Sequence, residues 1–291
     1  MNLQALRYLT ALAEHRHFGR AAEKCFVTQP TLSMQIRKLE DELGLQLLER
    51  NNKSVRLTDI GLIIAEYAQK ILREVKTIQE LAKTVKDPYS GNIKMGVIPT
   101  LAPYLLPRVI GNLQQAMPKL QYYWVEKTTE VLMQQLKLGE IDAALISLPI
   151  KDNELVVEPL FTEEFLLAVP KQHALVKRKT LQLKDIENSE LLLLEEGHCL
   201  RDQALTFCQG LDELMVKDFR ATSLETLRYM VAAGLGITLT SQLAVQTNDN
   251  VHYLRFSSKK PQRKIGLAWR KTTAKAGLFR EIAGIVGAVS I

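Results

Sequence analysis

Residues 59–86 carry no glycine or proline after Gly61, so the stretch can run as one long helix. Within it Ile64, Ile71, Ile78 and Val85 recur every seven residues, and Ala68, Val75 and Ala82 fall four later in each heptad. A seven-residue apolar repeat marks the seam of a coiled coil, which predicts dimerisation through this helix. The competing reading is a single helix laid on its own domain. Either way the helix separates two stretches of different texture. Asp87-Pro88-Tyr89-Ser90-Gly91 then breaks it and marks a hinge. The organisation read from this is residues 1–58, a linker helix over 59–87, and a larger domain over 91–291.

Residues 1–58 have helical periodicity. Leu3, Leu6, Leu9 and Leu12 form one apolar face, Phe18, Ala21, Ala22 and Phe26 a second, and Leu32, Ile36, Leu39 and Leu43 a third. Thr28 suits the cap of the third helix, Pro30 its first turn and Gly44 its end. Two short strands around Asn51-Asn52-Lys53-Ser54 would form a hairpin, or wing. This is an all-α winged helix-turn-helix pattern. Such a motif places the start of its second helix in the major groove of DNA. Here that start carries Thr28, Gln29, Pro30, Thr31, Ser33 and Gln35, which can meet base edges. Arg37 and Lys38 lie further along, and Arg50, Lys53 and Arg56 on the hairpin could hold phosphates. The bland reading is a helical scaffold with solvated basic residues.

From residue 92 strands alternate with helices: NIKMGVI, QYYWVEK, DAALIS, FLLAVP, LLLLEE and GLAWR read as strands. Alternation of this kind predicts a mostly parallel sheet. About 200 residues in this style fit two small α/β lobes with a ligand cleft between them. The assigned segments are 91–162 with 265–291 for lobe I, and 163–264 for lobe II.

The net charge of +6 permits nucleic-acid binding without requiring it. Arg7, Glu14 and Arg16 interrupt the amino-terminal apolar pattern, which argues against a secretory signal and for a cytoplasmic protein. No apolar run is long enough for a membrane span. Three cysteines are too few for a disulfide framework. The histidines show no metal-ligand spacing with cysteine, and no phosphate-binding glycine loop is present. No cofactor or metal is therefore expected. Acidic pairs such as Glu163-Glu164 and Glu195-Glu196 read as solvated faces.

The run FGRAAEKCFVTQPTLSMQIRKLEDELG, residues 18–44, resembles the amino-terminal domain of LysR-type transcriptional regulators. The match takes in the phenylalanine and paired alanines, the Gln-Pro turn, Ile-Arg-Lys-Leu-Glu and the closing Leu-Gly. It implies a regulator that binds double-stranded promoter DNA and contacts RNA polymerase. It also implies a long dimerisation helix, a periplasmic-binding-protein-like regulatory domain of two lobes, and a homodimer that assembles to a homotetramer.

Two of the three cysteines, Cys199 and Cys208, lie nine positions apart in EEGHCLRDQALTFCQG. Leu200, Ala204, Phe207 and Cys208 share one helical face, so Cys208 should point into a core. Nine residues of helix turn the two thiols to opposite sides, roughly 13 Å apart along the axis. A disulfide needs Cα atoms within about 4.4–6.8 Å. Joining them must therefore unwind the helix. Cys199, at the helix start beside His198 and Arg201, sits where a thiolate is favoured. Peroxide would oxidise it to a sulfenic acid that Cys208 resolves. Two small buried cysteines with no chemistry remain the alternative.

EEGHCLRDQALTFC in turn resembles the redox segment of peroxide-sensing LysR-type regulators, including the nine-residue gap. That resemblance implies that Thr100 and Thr129 hydrogen-bond hydrogen peroxide beside Cys199. It also implies that His198 polarises the site, that Arg263 stabilises the thiolate, and that oxidation activates oxidative-stress genes. On residue type alone the threonines could be helix caps and Arg263 a solvated charge. The expectation is a regulator and not an enzyme, reset by glutaredoxin or thioredoxin. The rival is a LysR-type regulator answering a small organic effector in the inter-lobe cleft. A thiol peroxidase or disulfide oxidoreductase fused to a helical domain is more remote. Cys25, before the Val-Thr-Gln-Pro turn, is expected simply to pack.

Overall fold

The computed structural model describes residues 1–49, 56–84, 87, 89–209, 215–247, 250–257 and 260–289. The chain divides into two compact units, Met1–Val85 and Lys86–Ile291.

The first unit begins with α1 (Leu3–His15), α2 (Phe18–Lys24) and α3 (Gln29–Leu43). Each start has a side-chain cap. Asn2 Oδ1 accepts from the Ala5 amide at 2.8 Å, His17 from Arg20, and Thr28 from Thr31. Gly44 ends α3 in the left-handed conformation that a side chain resists. The three apolar faces meet in one core of Leu9, Leu12, Ala21, Leu32, Ile36 and Leu39, except that Phe26, expected in the second face, is exposed. Strands β1 (Leu48–Glu49) and β2 (Arg56–Leu57) pair antiparallel, Leu48 opposite Leu57. They form the base of the wing; its expected tip, with Arg50 and Lys53, lies outside the described residues.

Helix α4 (Asp59–Thr84) follows. The heptad stripe read from the sequence divides along it. Ala68 is buried and Ile64 is half-buried against the unit's own core, whereas Ile71 and Ile78 are exposed. An ideal helix drifts about 20° per heptad relative to a seven-residue repeat. The amino-terminal end of the stripe therefore serves the head, while Ile71 and Ile78 face outward and Val75 is half-buried.

The second unit opens with β3 (Gly91–Val97), α5 (Ala102–Ala116), β4 (Leu120–Glu126), α6 (Thr129–Leu138), β5 (Ala143–Leu148) and β6 (Leu155–Pro170). It continues with β7 (Glu190–Leu194), α7 (Cys199–Phe207), β8 (Met215–Ala221) and α8 (Leu224–Ala232). It closes with β9 (Thr238–Ser241), β10 (Val251–Leu254), β11 (Gln262–Arg270) and α9 (Ala276–Gly287). The main sheet has the order β10-β6-β11-β5-β3-β4, with β9 also on β6. It is mixed, not mostly parallel. β3 runs parallel to β4 and β5, but β11 is antiparallel to β5 and β6, and β6 is antiparallel to β9 and β10. Parallel neighbours need a helical crossover of a dozen residues or more, and the parallel part is the β3-α5-β4-α6-β5 run, whose links are helices. β11 comes from far along the chain, enters between β5 and β6 and runs against both. The FLLAVP strand is also longer than its sequence signal, since β6 starts at Leu155 and spans 16 residues.

Beside this sheet β7 and β8 form a parallel pair. Leu191 and Leu193 of β7 enter one apolar cluster with Leu167, Leu239 and Cys208, and Leu192 and Leu194 enter the other with Phe165 and Leu200. The run of four leucines follows from burial on both faces. Among the described residues no helix is long and apolar enough to cross a membrane.

The head is tightest where α4 meets the wing. A Cβ on Gly61 would stand 2.2 Å from the Leu47 carbonyl oxygen. Thr58 Oγ1 meanwhile accepts from the Gly61 amide at 3.0 Å and donates to the Gln46 carbonyl at 2.8 Å. Gly61→Ala is expected to destabilise the head by about 1–3 kcal/mol, the usual cost of overpacking. Thermal unfolding of the full chain followed by circular dichroism would show it as a lowered first transition.

Candidate functional site

Helix α7 carries both cysteines of interest. Gly197, with φ of 91°, turns the chain from β7 into the helix, and His198 precedes it in extended conformation. The Cys208 amide closes the last turn on the Ala204 carbonyl at 3.0 Å. Cys199 is half-buried and packs on the cluster containing Leu192 and Leu200, while Cys208 is buried in the cluster containing Leu191 and Phe256. The two thiols thus sit at opposite ends of a wound helix and in different cores. Burial pushes the Cys208 thiol up to about 11, so it is protonated at neutral pH. Next to it the Phe207 ring meets Phe256 edge-on at 4.9 Å.

Cys199 lines an open cleft of about 800 Å³ together with Thr129, Ser147, Gly197 and Gln203. Gln203 Nε2 donates to Ser147 Oγ at 3.0 Å. Thr129 Oγ1 and Gln203 Oε1 are buried there with no hydrogen-bond partner among the described residues. Buried polar atoms are nearly always satisfied, so two orphans beside a thiol suit a small molecule that can both donate and accept.

Thr100 and Arg263 come together in a second, dry group. Arg263 Nη1 donates to Thr100 Oγ1 at 2.7 Å and Nη2 to the Thr100 carbonyl at 3.1 Å. Its Nε donates to Glu163 Oε1 at 2.6 Å, and Glu163 Oε2 accepts from Ser241 Oγ at 2.6 Å. Arg263 and Glu163 face each other across β11 and β6, both buried. Glu163 is therefore not on a solvated face, which corrects the sequence reading; Glu195 and Glu196 are solvent-exposed. Strand register, which the sequence does not print, is what joins a glutamate and an arginine 100 residues apart.

His198 is buried, its Nε2 3.9 Å from Glu195 Oε1. Burial lowers its pKa, outweighing the attraction of Glu195. At neutral pH it is an uncharged imidazole, able to hydrogen-bond but lending no positive charge to Cys199. Arg201 donates to the Leu194 carbonyl at 3.3 Å and lies 3.9 Å from Glu196. Cys25 is half-buried, within 4.0 Å of the Arg7 carbonyl, and burial raises its pKa. Among the described residues no group of three or more His, Cys, Asp or Glu is placed to hold a metal.

At the other candidate interface Thr28 is a cap: its Oγ1 accepts from the Thr31 amide at 3.4 Å and lies 2.8 Å from Thr31 Oγ1. Gln29, Pro30, Arg37, Lys38 and Arg56 are exposed, while Thr31, Ser33 and Gln35 are half-buried.

Comparison with known proteins places this architecture. Residues 3–62 match the family of bacterial regulatory helix-turn-helix proteins, lysR family, and residues 86–287 match the LysR substrate binding domain. The chain belongs to the LysR family. Among LysR-family relatives, a hydrogen peroxide-inducible genes activator of Dickeya chrysanthemi is 48% identical over 98% of this chain and 95% of its own length. The DNA-binding transcriptional dual regulator OxyR of Escherichia coli (strain K12) is 47% identical over 99% of this chain and 95% of its own. Full-length OxyR C199D from Pseudomonas aeruginosa superposes with a TM-score of 0.80 at 37% identity, covering 100% of this chain and 96% of that one.

In this LysR-family chain the neutral histidine also has a thermodynamic consequence. His198 and His173 both have pKa values lowered by burial from the ordinary 6.5. The folded state prefers the uncharged ring, so this contribution is complete above pH 6.5 and is lost as pH falls through the folded values. The regulatory unit is expected to unfold at lower temperature as pH drops from 7 to 5. His198→Gln should flatten part of that slope in calorimetry across the same range.

Proposed function

We propose that this chain is a hydrogen peroxide sensor that activates oxidative-stress genes through a reversible disulfide between Cys199 and Cys208. The observation that carries this reading is that α7 keeps the two thiols in separate cores, so their linkage and the helix exclude each other. The Cys199 thiolate attacks one oxygen of peroxide. An S–O bond forms, the O–O bond breaks, and the hydroxide that leaves is protonated to water. The Cys208 sulfur then attacks the sulfenic sulfur, forming the S–S bond and releasing a second water. Two thiols and one peroxide give one disulfide and two waters. The chain is consumed once per event, as a sensor is and an enzyme is not. A dithiol protein, glutaredoxin or thioredoxin, returns it to the reduced form.

Thr129 on the cleft wall would bind peroxide beside Cys199 together with Thr100, whose hydroxyl already accepts from Arg263, and Arg263, itself paired with Glu163, would stabilise the thiolate by hydrogen bonding. His198 would orient and polarise as a neutral donor. Support for this comes from the orphaned Thr129 hydroxyl in the cleft that Cys199 lines, and from relatives whose names specify hydrogen peroxide. The head over residues 1–58 would bind promoter DNA through Thr28, Gln29, Pro30, Thr31, Ser33, Gln35, Arg37 and Lys38, with Arg50, Lys53 and Arg56 on phosphates. The linker over 59–87 would pair two chains by the outward stripe at Ile71 and Ile78. The regulatory domain over 91–291, two-lobed in the manner of periplasmic binding proteins, would build the homotetramer and present a surface to RNA polymerase. All of this is set in the cytoplasm.

Oxidation must pull Cys208 and Phe207 out of their cluster. Exposing one aromatic side chain costs about 1.5–3 kcal/mol. For a two-electron couple that raises the reduction potential by on the order of 50 mV and eases reduction. Phe207→Ala removes this packing from the reduced form only. Its disulfide is expected to be harder to reduce, with a potential lower by about that amount in a glutathione redox titration. The direct test is mass spectrometry of peptides after one equivalent of peroxide. Wild type should give Cys199 joined to Cys208. Cys199→Ser should give no disulfide and no induction while still binding promoter DNA. Free thiols in the wild type, or Cys25 as the partner, would remove the mechanism.

A further inference from the structure

The turn between α2 and α3 holds an anomaly. Phe26 is 95% exposed and its φ is 56°. A bulky side chain in the left-handed region strains the backbone, and glycine or asparagine is the usual occupant. Here the ring recovers nothing by packing. Eight residues on, Met34 of α3 is 60% exposed, between half-buried Ser33 and Gln35. Pro30, Met34, Arg37 and Lys38 follow at helical spacing and are all solvent-facing. The outward face of α3 therefore has a thioether at its centre. Arg37 and Lys38 are exposed a turn further along the same helix, and the head exposes further basic residues at Arg20 and Lys24 of α2 and Arg56 of β2.

An exposed apolar side chain followed by cations on one helix complements the major groove, where thymine C5-methyl groups project between two rows of phosphate. Strain at an exposed aromatic points the same way, because such outliers persist where the side chain has a task. We infer that Phe26 and Met34 form an apolar reading surface that packs on thymine methyl groups of the operator, in addition to the polar residues of α3. The inference deepens the proposed DNA-binding function and rests on it.

Thymine differs from uracil by the methyl alone, which makes the test direct. Duplexes selected by the full-length protein from a random library would be resynthesised with single thymine-to-uracil replacements and titrated at fixed salt. At one or more positions the wild type is expected to lose about fourfold in affinity, the worth of one buried methyl. In Met34→Ala the loss at its position should disappear. Phe26→Gly should likewise erase the loss at a neighbouring thymine. It should also unfold at the wild-type temperature or above, since it relieves strain and removes no buried contact. A merely structural Phe26 would instead lower that temperature.

If the protein selects no sequence, the DNA-binding reading itself fails. If it selects one but the uracil losses persist in Met34→Ala and Phe26→Gly, the apolar surface is overturned and the DNA-binding reading stands. Loss of self-association in Met34→Ala, seen by analytical ultracentrifugation, would reassign the face to a second copy of the chain and also overturn it.

Discussion

A guanidinium and a carboxylate with no access to water hold the regulatory unit together at its crossing point. Arg263 and Glu163 occupy facing positions on β11 and β6, the two strands through which the main sheet passes from β5 on one side to β9 and β10 on the other. A buried pair of this kind survives only when its remaining hydrogen-bonding capacity is filled. Here Thr100 takes two of the guanidinium's donors, and Ser241 donates to the second carboxylate oxygen. The start of α5, both strands and the end of β9 are thereby fixed to one another. Helix α7 is held differently, by apolar contact, by its own ladder and by two side-chain hydrogen bonds, Gln203 to Ser147 and Arg201 to the Leu194 carbonyl.

That division of labour separates a stiff frame from a convertible part. Helix α7 is nine residues long, short enough that its helical state depends on tertiary packing and not on propensity. Leu200 draws it toward one core, and Ala204 and Cys208 toward the other. Chemistry that moves one end must break the contacts of the other. The frame has no corresponding freedom, so the change is delivered to the surface around residues 199–208 instead of being absorbed.

The sequence disclosed those elements whose signals are local. Caps at Thr28 and Gly44, the helical face of Leu200, Ala204 and Cys208, and the paired wing strands all depend on neighbours within a few positions. What it hid depends on register. Nothing near Glu163 distinguishes it from Glu164, yet one is dry and paired with Arg263 and the other is partly solvated beside Arg255 and Lys260. The mixed sheet was hidden for a related reason, because strand direction follows from which distant strand pairs with which, as where β11 enters between β5 and β6, and not from strand composition. The heptad stripe misled in part, because Ile64 packs on the head's own core and Ala68 is buried. Phe26 reads in the sequence as part of an apolar helical face and Met34 falls between the named core positions, so only exposure sets the two apart.

Cys208 lies shut in an apolar core and is protonated at neutral pH. On the proposed chemistry, capture of the oxidised sulfur must wait for the end of α7 to fray. The waiting time belongs to the protein and is independent of oxidant concentration. A trace of peroxide leaves ample time for closure. A flood lets a second molecule arrive first and drive the exposed sulfur to an irreversible acid. Core packing at one end of a short helix would thus set the upper limit of dose over which the response can still be reset.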